Sequence, residues 1–255
     1  MNYNHLVLVP CHGIWKGGPS AGDDPNEWFL APFQLDGKDH LCFKEHLFQG
    51  FDIMKNDPSA LLIISGGKTK AEIDLSEAQS YYNILKSVYD SKDLGAVELE
   101  EFARDSFENV IFSICRFYEI TSTYPKKITV TGFEFKRSRF VKNHFQQALG
   151  FPLENVKYIG NAPTPPKESE GNYFMELNQS EHEFAVKFFE VDLYGRKGSL
   201  QKKKLSRNPF NVSHDYKSSN SVLREALELM EQPNKTDLEV RTALLTVAPW
   251  KANYT

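Results

Sequence analysis

The sequence lacks any apolar run long enough to cross a bilayer. Runs such as Leu6 to Val9 and Ala60 to Ile64 are far shorter than the roughly 20 residues that a membrane-spanning helix needs. The chain also opens without the basic segment, longer apolar core and small-residue cleavage site of a secretory signal. We therefore predict a cytoplasmic protein with no membrane partner.

Cysteine is scarce. The three cysteines, Cys11, Cys42 and Cys115, are an odd number and show no C-x-x-C spacing, which argues against both a disulfide framework and a structural zinc site. The seven histidines show no H-E-x-x-H spacing. We predict reduced thiols and no bound metal.

The chain also lacks a large charge of either sign. It has 30 Lys and Arg against 34 Asp and Glu, a formal net charge of -4 at pH 7. Nucleic-acid binders usually carry an overall basic excess, so we predict no nucleic-acid partner and expect a small molecule instead. The sequence leaves the oligomeric state open.

Short β-prone apolar runs alternate with longer segments of helical period. This order is typical of a parallel sheet with helices on both faces, and it predicts a three-layer α/β/α Rossmann-like domain with a five-stranded, mainly parallel sheet. The predicted strands are His5 to Val9, Ala60 to Ser65, Ala96 to Leu99, Lys127 to Thr131 and Val156 to Gly160. The predicted helices are Asp39 to Asn56, Leu75 to Tyr89, Ser106 to Thr121, Lys136 to Leu149 and Gln179 to Tyr194.

The composition changes after Tyr194, which divides the chain into an α/β domain, residues 1–194, and a C-terminal extension, residues 195–255. The extension holds the basic run Lys202 to Lys204, a Ser/Asn-rich stretch and one amphipathic helix, Val222 to Glu231. We predict a basic, partly irregular segment. It either wraps the domain surface or contacts an acidic partner.

Ligands of open parallel sheets bind beyond the carboxyl ends of the strands. The loop after the first strand contains His12, Gly13 and Trp15, and the loop after the second reads Ser65-Gly66-Gly67-Lys68. Leu62 stands where a phosphate-binding P-loop needs glycine, so that motif is excluded. The glycines either expose backbone N–H groups to an anion or form tight turns.

Two predicted helices begin with an acidic N-cap followed three residues later by glutamate: Asp74 with Glu77, and Asp105 with Glu108. Together with His12, these glutamates are our candidates for proton transfer, although capping alone also explains them. Asn109 lies one turn after Asp105 and either binds a ligand or anchors the preceding loop.

Three cations, Lys136, Arg137 and Arg139, open the fourth predicted helix. Cations oppose the positive end of the helix dipole, which indicates a function, most naturally anion binding. The alternative is pairing with acidic neighbours such as Glu134 or Glu108.

Four segments together resemble the SanA/YdcF/ElyC-like proteins, a domain of unknown function, and particularly their longer fungal members. They are Val9 to Trp15, Leu62 to Ala78, Asp105 to Asn109 and Phe133 to Phe140, with Asp192 to Gly195 and Arg207 to Phe210 in the tail. The loop Phe133-Glu134-Phe135-Lys136-Arg137 departs from the bacterial pattern, which tends to place Thr or Ser and then His before the arginine.

The resemblance implies a Rossmann-like fold and S-adenosylmethionine as a possible cofactor, because a bacterial relative is described as binding it. By position, the pocket-lining residues that it implies are Ser65, Gly66, Gly67, Glu77, Ser106, Glu108, Asn109, Arg137 and Arg139.

These observations leave three hypotheses. The first is an enzyme, a transferase or hydrolase, acting on an anionic or nucleotide-like ligand such as S-adenosylmethionine or a phosphorylated metabolite. The second is a non-catalytic sensor of the same ligand. The third is an interaction protein that works through its basic extension.

Overall fold

The computed structural model describes residues 2–165 and 170–251. Five parallel strands form one sheet in the order β5-β4-β1-β6-β7, with helices on both faces, so the predicted three-layer α/β/α fold is confirmed. The strands are β1 His5–Pro10, β4 Ala60–Ser65, β5 Val97–Glu100, β6 Lys127–Phe133 and β7 Val156–Asn161. Each prediction lies within two residues of the observed bounds.

The central strands β1 and β4 are buried along their whole length, as expected of strands covered on both faces. Because side chains alternate across a strand, Leu6 and Leu8 join one hydrophobic cluster and Val7 and Val9 join the other. Two separate cores therefore form, one on each face of the sheet.

The first face is covered by α2, Asp39–Asn56, and α3, Glu77–Val88. The second face is covered by α4, Ser106–Thr121, and by a helix with wider π-type hydrogen bonding, Arg139–Leu149. The predicted bounds of α2 and α4 are those observed. The predicted helix Lys136 to Leu149 is instead a 3-10 turn, Glu134–Lys136, followed by the π-helix.

Helix starts follow capping chemistry, with two corrections. The side chain of Ser76, and not Asp74, caps α3 by accepting from the Gln79 N–H, while Asp74 pairs with Lys68. Asp105 caps α4 as predicted, accepting from the Glu108 N–H at 2.8 Å. However, the Glu108 carboxylate bonds back to the Arg104 N–H and not to the cap residue.

The long connection after β1 forms a packed hairpin of β2, Ile14–Trp15, and β3, Trp28–Phe29, followed by the short helix α1, Pro32–Asp36. Trp15 and Trp28 are buried in the core of the first face. The indole N–H groups donate to the Glu27 carboxylate and to the Gly22 carbonyl. This segment extends the core beyond the sheet edge.

The helix predicted at Gln179 to Tyr194 begins earlier, as α5, Glu170–Glu181. It continues through a π-type turn, His182–Val186, and α6, Lys187–Val191. The error arose because the polar first half of this helix carries little apolar periodicity.

The segment after residue 194 contains more structure than the one predicted helix. It forms α7 Gly198–Ser206, α8 Tyr216–Ser219, α9 Arg224–Glu231 and α10 Asp237–Val247. Buried residues of these helices, including Leu200, Leu227 and Leu244, belong to the core of the second face. The division at residue 194 stays a prediction. Within the described ranges, no helix has both the length and the apolar character that crossing a membrane requires.

Candidate functional site

Strand order reverses on the two sides of β1, so the crevice beyond the carboxyl ends of β1 and β6 is where ligands of this topology bind. His12 follows β1 and Lys136 follows β6. Although 124 residues separate them, the Lys136 Nζ lies 3.4 Å from the His12 Nδ1. The crevice therefore joins two of the predicted site residues.

Contacts on both its ring and its backbone hold His12 in place. Its ring stacks on Phe133 with centroids 5.4 Å apart, and its backbone N–H donates to the Tyr81 hydroxyl. Burial, followed by the charge of Lys136, holds the pKa of His12 well below its ordinary value. The ring is therefore neutral near pH 7, and its buried Nε2 has no hydrogen-bond partner within the described part of the chain.

Lys136 is partly buried beside two aromatic rings. Its ammonium lies 4.9 Å from the ring centroid of Phe133 and 5.6 Å from that of Phe135. No carboxylate that the structure describes forms an ion pair with it. Burial, with the nearby charge of Arg139, lowers the pKa of Lys136 to about 7. Near neutral pH the amine is poised between its charged and neutral forms.

Glu77 is the first residue of α3 and folds back over the loop after β4. It accepts a hydrogen bond of 2.6 Å from the Thr69 hydroxyl. Burial raises the pKa of Glu77, while Thr69 and the charges of Arg207 and Lys136 oppose the rise. Gly66 permits this approach, since a Cβ there would lie 2.8 Å from the Cβ atoms of both Cys11 and Glu77. Glu77 thus borders the loop that carries His12.

Two further ionisable residues act on the crevice and were missed. Arg207, in the C-terminal segment, donates to the Arg104 carbonyl at 2.9 Å, and its charge contributes to the lowered pKa of His12 and Lys136. Burial raises the pKa of Asp39 to about 6 against the opposing charge of Lys136. The only sequence signal for either was that Arg207 belongs to a segment resembling the fungal members.

The glycine loop after β4 is internally satisfied. The Gly66 N–H donates to the Glu100 carbonyl and the Gly67 N–H to the Ala103 carbonyl, while the glycine carbonyls accept from the first turn of α3. Neither N–H group is free to hold an anion. The loop therefore serves as a tight connection that seats α3 against β4.

Ser65 and Asn109 form the floor beneath this loop. The Asn109 amide donates to the Ser65 carbonyl at 3.0 Å, and the Ser65 hydroxyl donates to the fully buried Glu100 carboxylate. Burial, opposed by the hydrogen bond from Ser65, raises the pKa of Glu100 to about 7. These groups anchor the loop, which is the structural alternative considered for Asn109.

Glu108 lies in a separate ionic cluster at the start of α4. It forms two hydrogen bonds with the Arg104 guanidinium and a third, of 3.0 Å, with Lys204 Nζ. Burial is outweighed by the charges of Lys204 and Arg104, which hold the pKa of Glu108 at about 2. A carboxylate that remains ionised at every working pH, with its oxygens occupied, is poorly suited to proton transfer.

The other predicted residues form no described hydrogen bond with His12 or Lys136. Arg137 pairs with Glu134 and donates to the Tyr158 carbonyl, whereas Arg139 lies 2.9 Å from Glu181 in an ion pair of poor hydrogen-bond geometry. Three of the remaining four form a side-chain hydrogen bond elsewhere: Trp15 with Glu27, Lys68 with Asp74 and Ser106 with His144. The fourth, Gly13, is packed closely against Phe29 and Phe43.

The geometry thus defines a doubly wound α/β protein with an ionisable crevice between β1 and β6. Its titratable groups include His12, Asp39, Glu77 and Lys136, with Arg207 at the border. Among the described residues, no three His, Cys, Asp or Glu side chains are grouped as metal ligands.

The chain is 34% identical to a Saccharomyces cerevisiae protein named "Uncharacterized protein YOR238W", over 97% of this chain and 97% of the relative. It belongs to the family of this yeast protein. No family model and no solved structure match the sequence.

Proposed function

We propose that this protein binds a small anionic molecule in the crevice between β1 and β6 and acts on it as an enzyme. The observation that carries the proposal is Lys136, a partly buried amine in contact with His12 and without an acidic partner among the described side chains. An enclosed cation without a counter-charge is costly unless it loses its proton or a ligand supplies the missing charge. An anionic ligand bound here would supply the missing counter-charge of Lys136.

Binding of an anion raises the pKa of Lys136 again, because the charged form gains a partner. Since this pKa is about 7 in the free protein, binding near pH 7.5 takes up protons from solution. Calorimetric titration in two buffers of different ionisation enthalpy measures that uptake. The Lys136→Met variant retains no such uptake.

His12 and Glu77 are the residues that we propose for proton transfer. When its hydrogen is on Nδ1, the neutral imidazole of His12 can accept a proton at the unoccupied Nε2, and a carboxyl group with a raised pKa can donate a proton near neutrality. Transfer and hydrolysis both fit this pair. We expect His12→Ala and Glu77→Gln to keep ligand binding and to lose turnover.

Membership of the SanA/YdcF/ElyC-like group is part of the proposal. Its support is the Rossmann-like strand order and the proximity of the loops after β1, β4 and β6, which contain three of the four resembling segments. Under this proposal the ligands to test first are S-adenosylmethionine, which carries a carboxylate, and phosphorylated metabolites.

The test is a thermal-shift screen of the purified chain against S-adenosylmethionine, nucleotides, sugar nucleotides and phosphorylated metabolites. A ligand at 100 times its Kd stabilises the fold by about 2.7 kcal/mol. We expect at least one reproducible shift that disappears in Lys136→Met and persists in Arg137→Ala, whose guanidinium is paired outside the crevice.

Two results would contradict the proposal: no shift with any compound, or a shift that is equal in the wild type and in Lys136→Met. Saturable binding without turnover of any screened ligand would support the binding site but favour the hypothesis of a non-catalytic sensor over that of an enzyme.

A further inference from the structure

A second cavity lies away from the crevice, between α4 and the C-terminal helices α7 and α9. Its volume is about 320 Å³. Ligand pockets typically begin at about 300 Å³, so the space is sufficient for a small organic molecule. The cavity exists only because the C-terminal segment packs against the α/β domain.

The walls of this cavity are mainly apolar. Apolar side chains from α4 and the C-terminal segment line it, among them Phe107, Ile111, Phe112, Leu227 and Met230. The ring of His214 stacks on Tyr216 and packs 4.3 Å from the centroid of Phe112, which adds a flat aromatic surface. Such walls favour an apolar, and particularly an aromatic, ligand.

Arg104, among the polar residues of the lining, has guanidinium donors to spare. Arg104 uses its Nε and Nη2 on Glu108, and its Nη1 has no hydrogen-bond partner in the described ranges. The two lining carboxylates are already neutralised, Glu108 by Arg104 and Lys204, and Glu231 by Lys217 at 2.7 Å. An anionic group therefore finds a guanidinium in this lining without an unpaired carboxylate to repel it.

We infer that this cavity is a second binding site, for a small, largely aromatic molecule that carries one anionic group next to Arg104. The site does not depend on the function proposed for the crevice, because none of its lining residues is among the crevice's titratable groups. Arg104 does link the two regions, since its carbonyl accepts from Arg207.

The test uses two fluorescent probes of the same shape. Anilinonaphthalene sulfonate carries the anionic group, and its neutral analogue N-phenyl-1-naphthylamine lacks it. Gln201 lines the cavity and is exposed on α7, so Gln201→Trp fills the entrance without overpacking the core. Its matched control is Lys202→Trp, the next exposed residue of α7, which does not line the cavity.

We expect both probes to bind the wild type saturably, with one site per chain. Gln201→Trp weakens both by about tenfold or more, equivalent to about 1.4 kcal/mol, while Lys202→Trp leaves both within about twofold. Arg104→Gln weakens only the anionic probe, by about tenfold, because it loses a charged hydrogen bond. Circular dichroism checks that each variant is folded.

The inference is overturned if neither probe binds saturably, or if Gln201→Trp binds both probes as the wild type does. Equal losses of the two probes in Arg104→Gln would remove the anionic group from the assigned ligand class. None of these results bears on Lys136, so failure of this site is distinct from failure of the crevice.

Discussion

Two partly or fully buried lysines respond to their surroundings in opposite ways. Lys204, in the cluster at the start of α4, lies 3.0 Å from Glu108 and 3.4 Å from Asp105. Burial lowers its pKa, but the two carboxylates outweigh this effect and raise the pKa above its ordinary value. Within the described ranges no carboxylate forms an ion pair with Lys136, and burial, opposed by the charges of Glu181 and Asp39, lowers its pKa to about 7.

The difference separates a structural charge from a candidate functional one. At Lys204 the protein supplies the counter-charge itself, so nothing remains for a ligand to bind. At Lys136 no described carboxylate lies within ion-pair distance, and the charges of Glu181 and Asp39 do not outweigh burial, so the fold bears the cost of desolvation without the gain of an ion pair. A buried lysine with carboxylate partners is therefore interpreted as structural, and one without an ion pair as a candidate for ligand binding.

The largest expected effect is that of removing the paired lysine. Lys204→Met leaves Asp105 and Glu108 enclosed with only Arg104 nearby, so we expect a loss of about 3–5 kcal/mol in the free energy of unfolding. Urea denaturation measures it. The control is Lys202→Met on the exposed side of α7, which should change stability by no more than about 0.5 kcal/mol. Equal losses of stability in the two variants would show that the ion pairs of Lys204 do not stabilise the fold.

We expect the lowered pKa of Lys136 to change how the free energy of unfolding depends on pH. Between pH 7 and about 10.4 the unfolded chain holds a proton on Lys136 that the folded chain has lost, so stability rises with pH in this window. The contribution has a maximum slope of about 1.4 kcal/mol per pH unit. Lys204 behaves oppositely, because its raised pKa means that its stabilisation is lost only at still higher pH.

Lys136→Met removes the rise between pH 7 and 10.4 while leaving the rest of the profile unchanged. Urea midpoints of the two proteins at intervals of pH give the difference directly. Parallel curves for wild type and variant would show that Lys136 titrates normally and has a partner after all.

A smaller effect is expected beneath the glycine loop after β4. Ser65→Ala leaves one oxygen of the fully buried Glu100 without its hydroxyl donor, and we expect a loss of about 1–3 kcal/mol, measured by urea denaturation. Ser87→Ala is the matched control, because its hydroxyl donates only to a carbonyl of its own helix. If Ser65→Ala lost ligand binding with unchanged stability, Ser65 would contact the ligand and not serve as an anchor of the loop.

The smallest effect is expected for Arg137→Ala. Its ion pair with Glu134 is exposed, so we expect a change of about 0.2–1 kcal/mol in stability and no change in ligand affinity. Thermal shift with any ligand from the screen gives both quantities. A loss of affinity as large as that of Lys136→Met would move the anion site towards the outer face of the loop after β6.

The elements that carry strong local signals were predictable. Val7 and Ile63 lie in short, continuously apolar runs, and α2 and α4 carry clear helical periodicity, so their bounds follow from local pattern. The N-cap of α3 was not predictable, because Asp74 and Ser76 are equally good caps and tertiary contacts of the glycine loop select Ser76.

The candidate site was predicted only in part. His12 was identified because it follows a strand that a parallel sheet brings to the ligand-binding edge, Glu77 because it follows a predicted N-cap, and Lys136 because a cation at a helix start opposes the helix dipole. Glu108 was indistinguishable from them in sequence, since its partner Lys204 is 96 residues away. Arg207 was missed for the same reason, because it reaches the crevice from the C-terminal segment.

The sequence by itself determined the layers of this protein and the edge of the sheet where the candidate site lies, because hydrophobic periodicity and the succession of strands and helices along the chain are local properties. Only the tertiary structure decided which charges are satisfied. A counter-charge acts through a few ångströms of space, and the residues that supply or withhold it at Lys204 and Lys136 are distant along the chain.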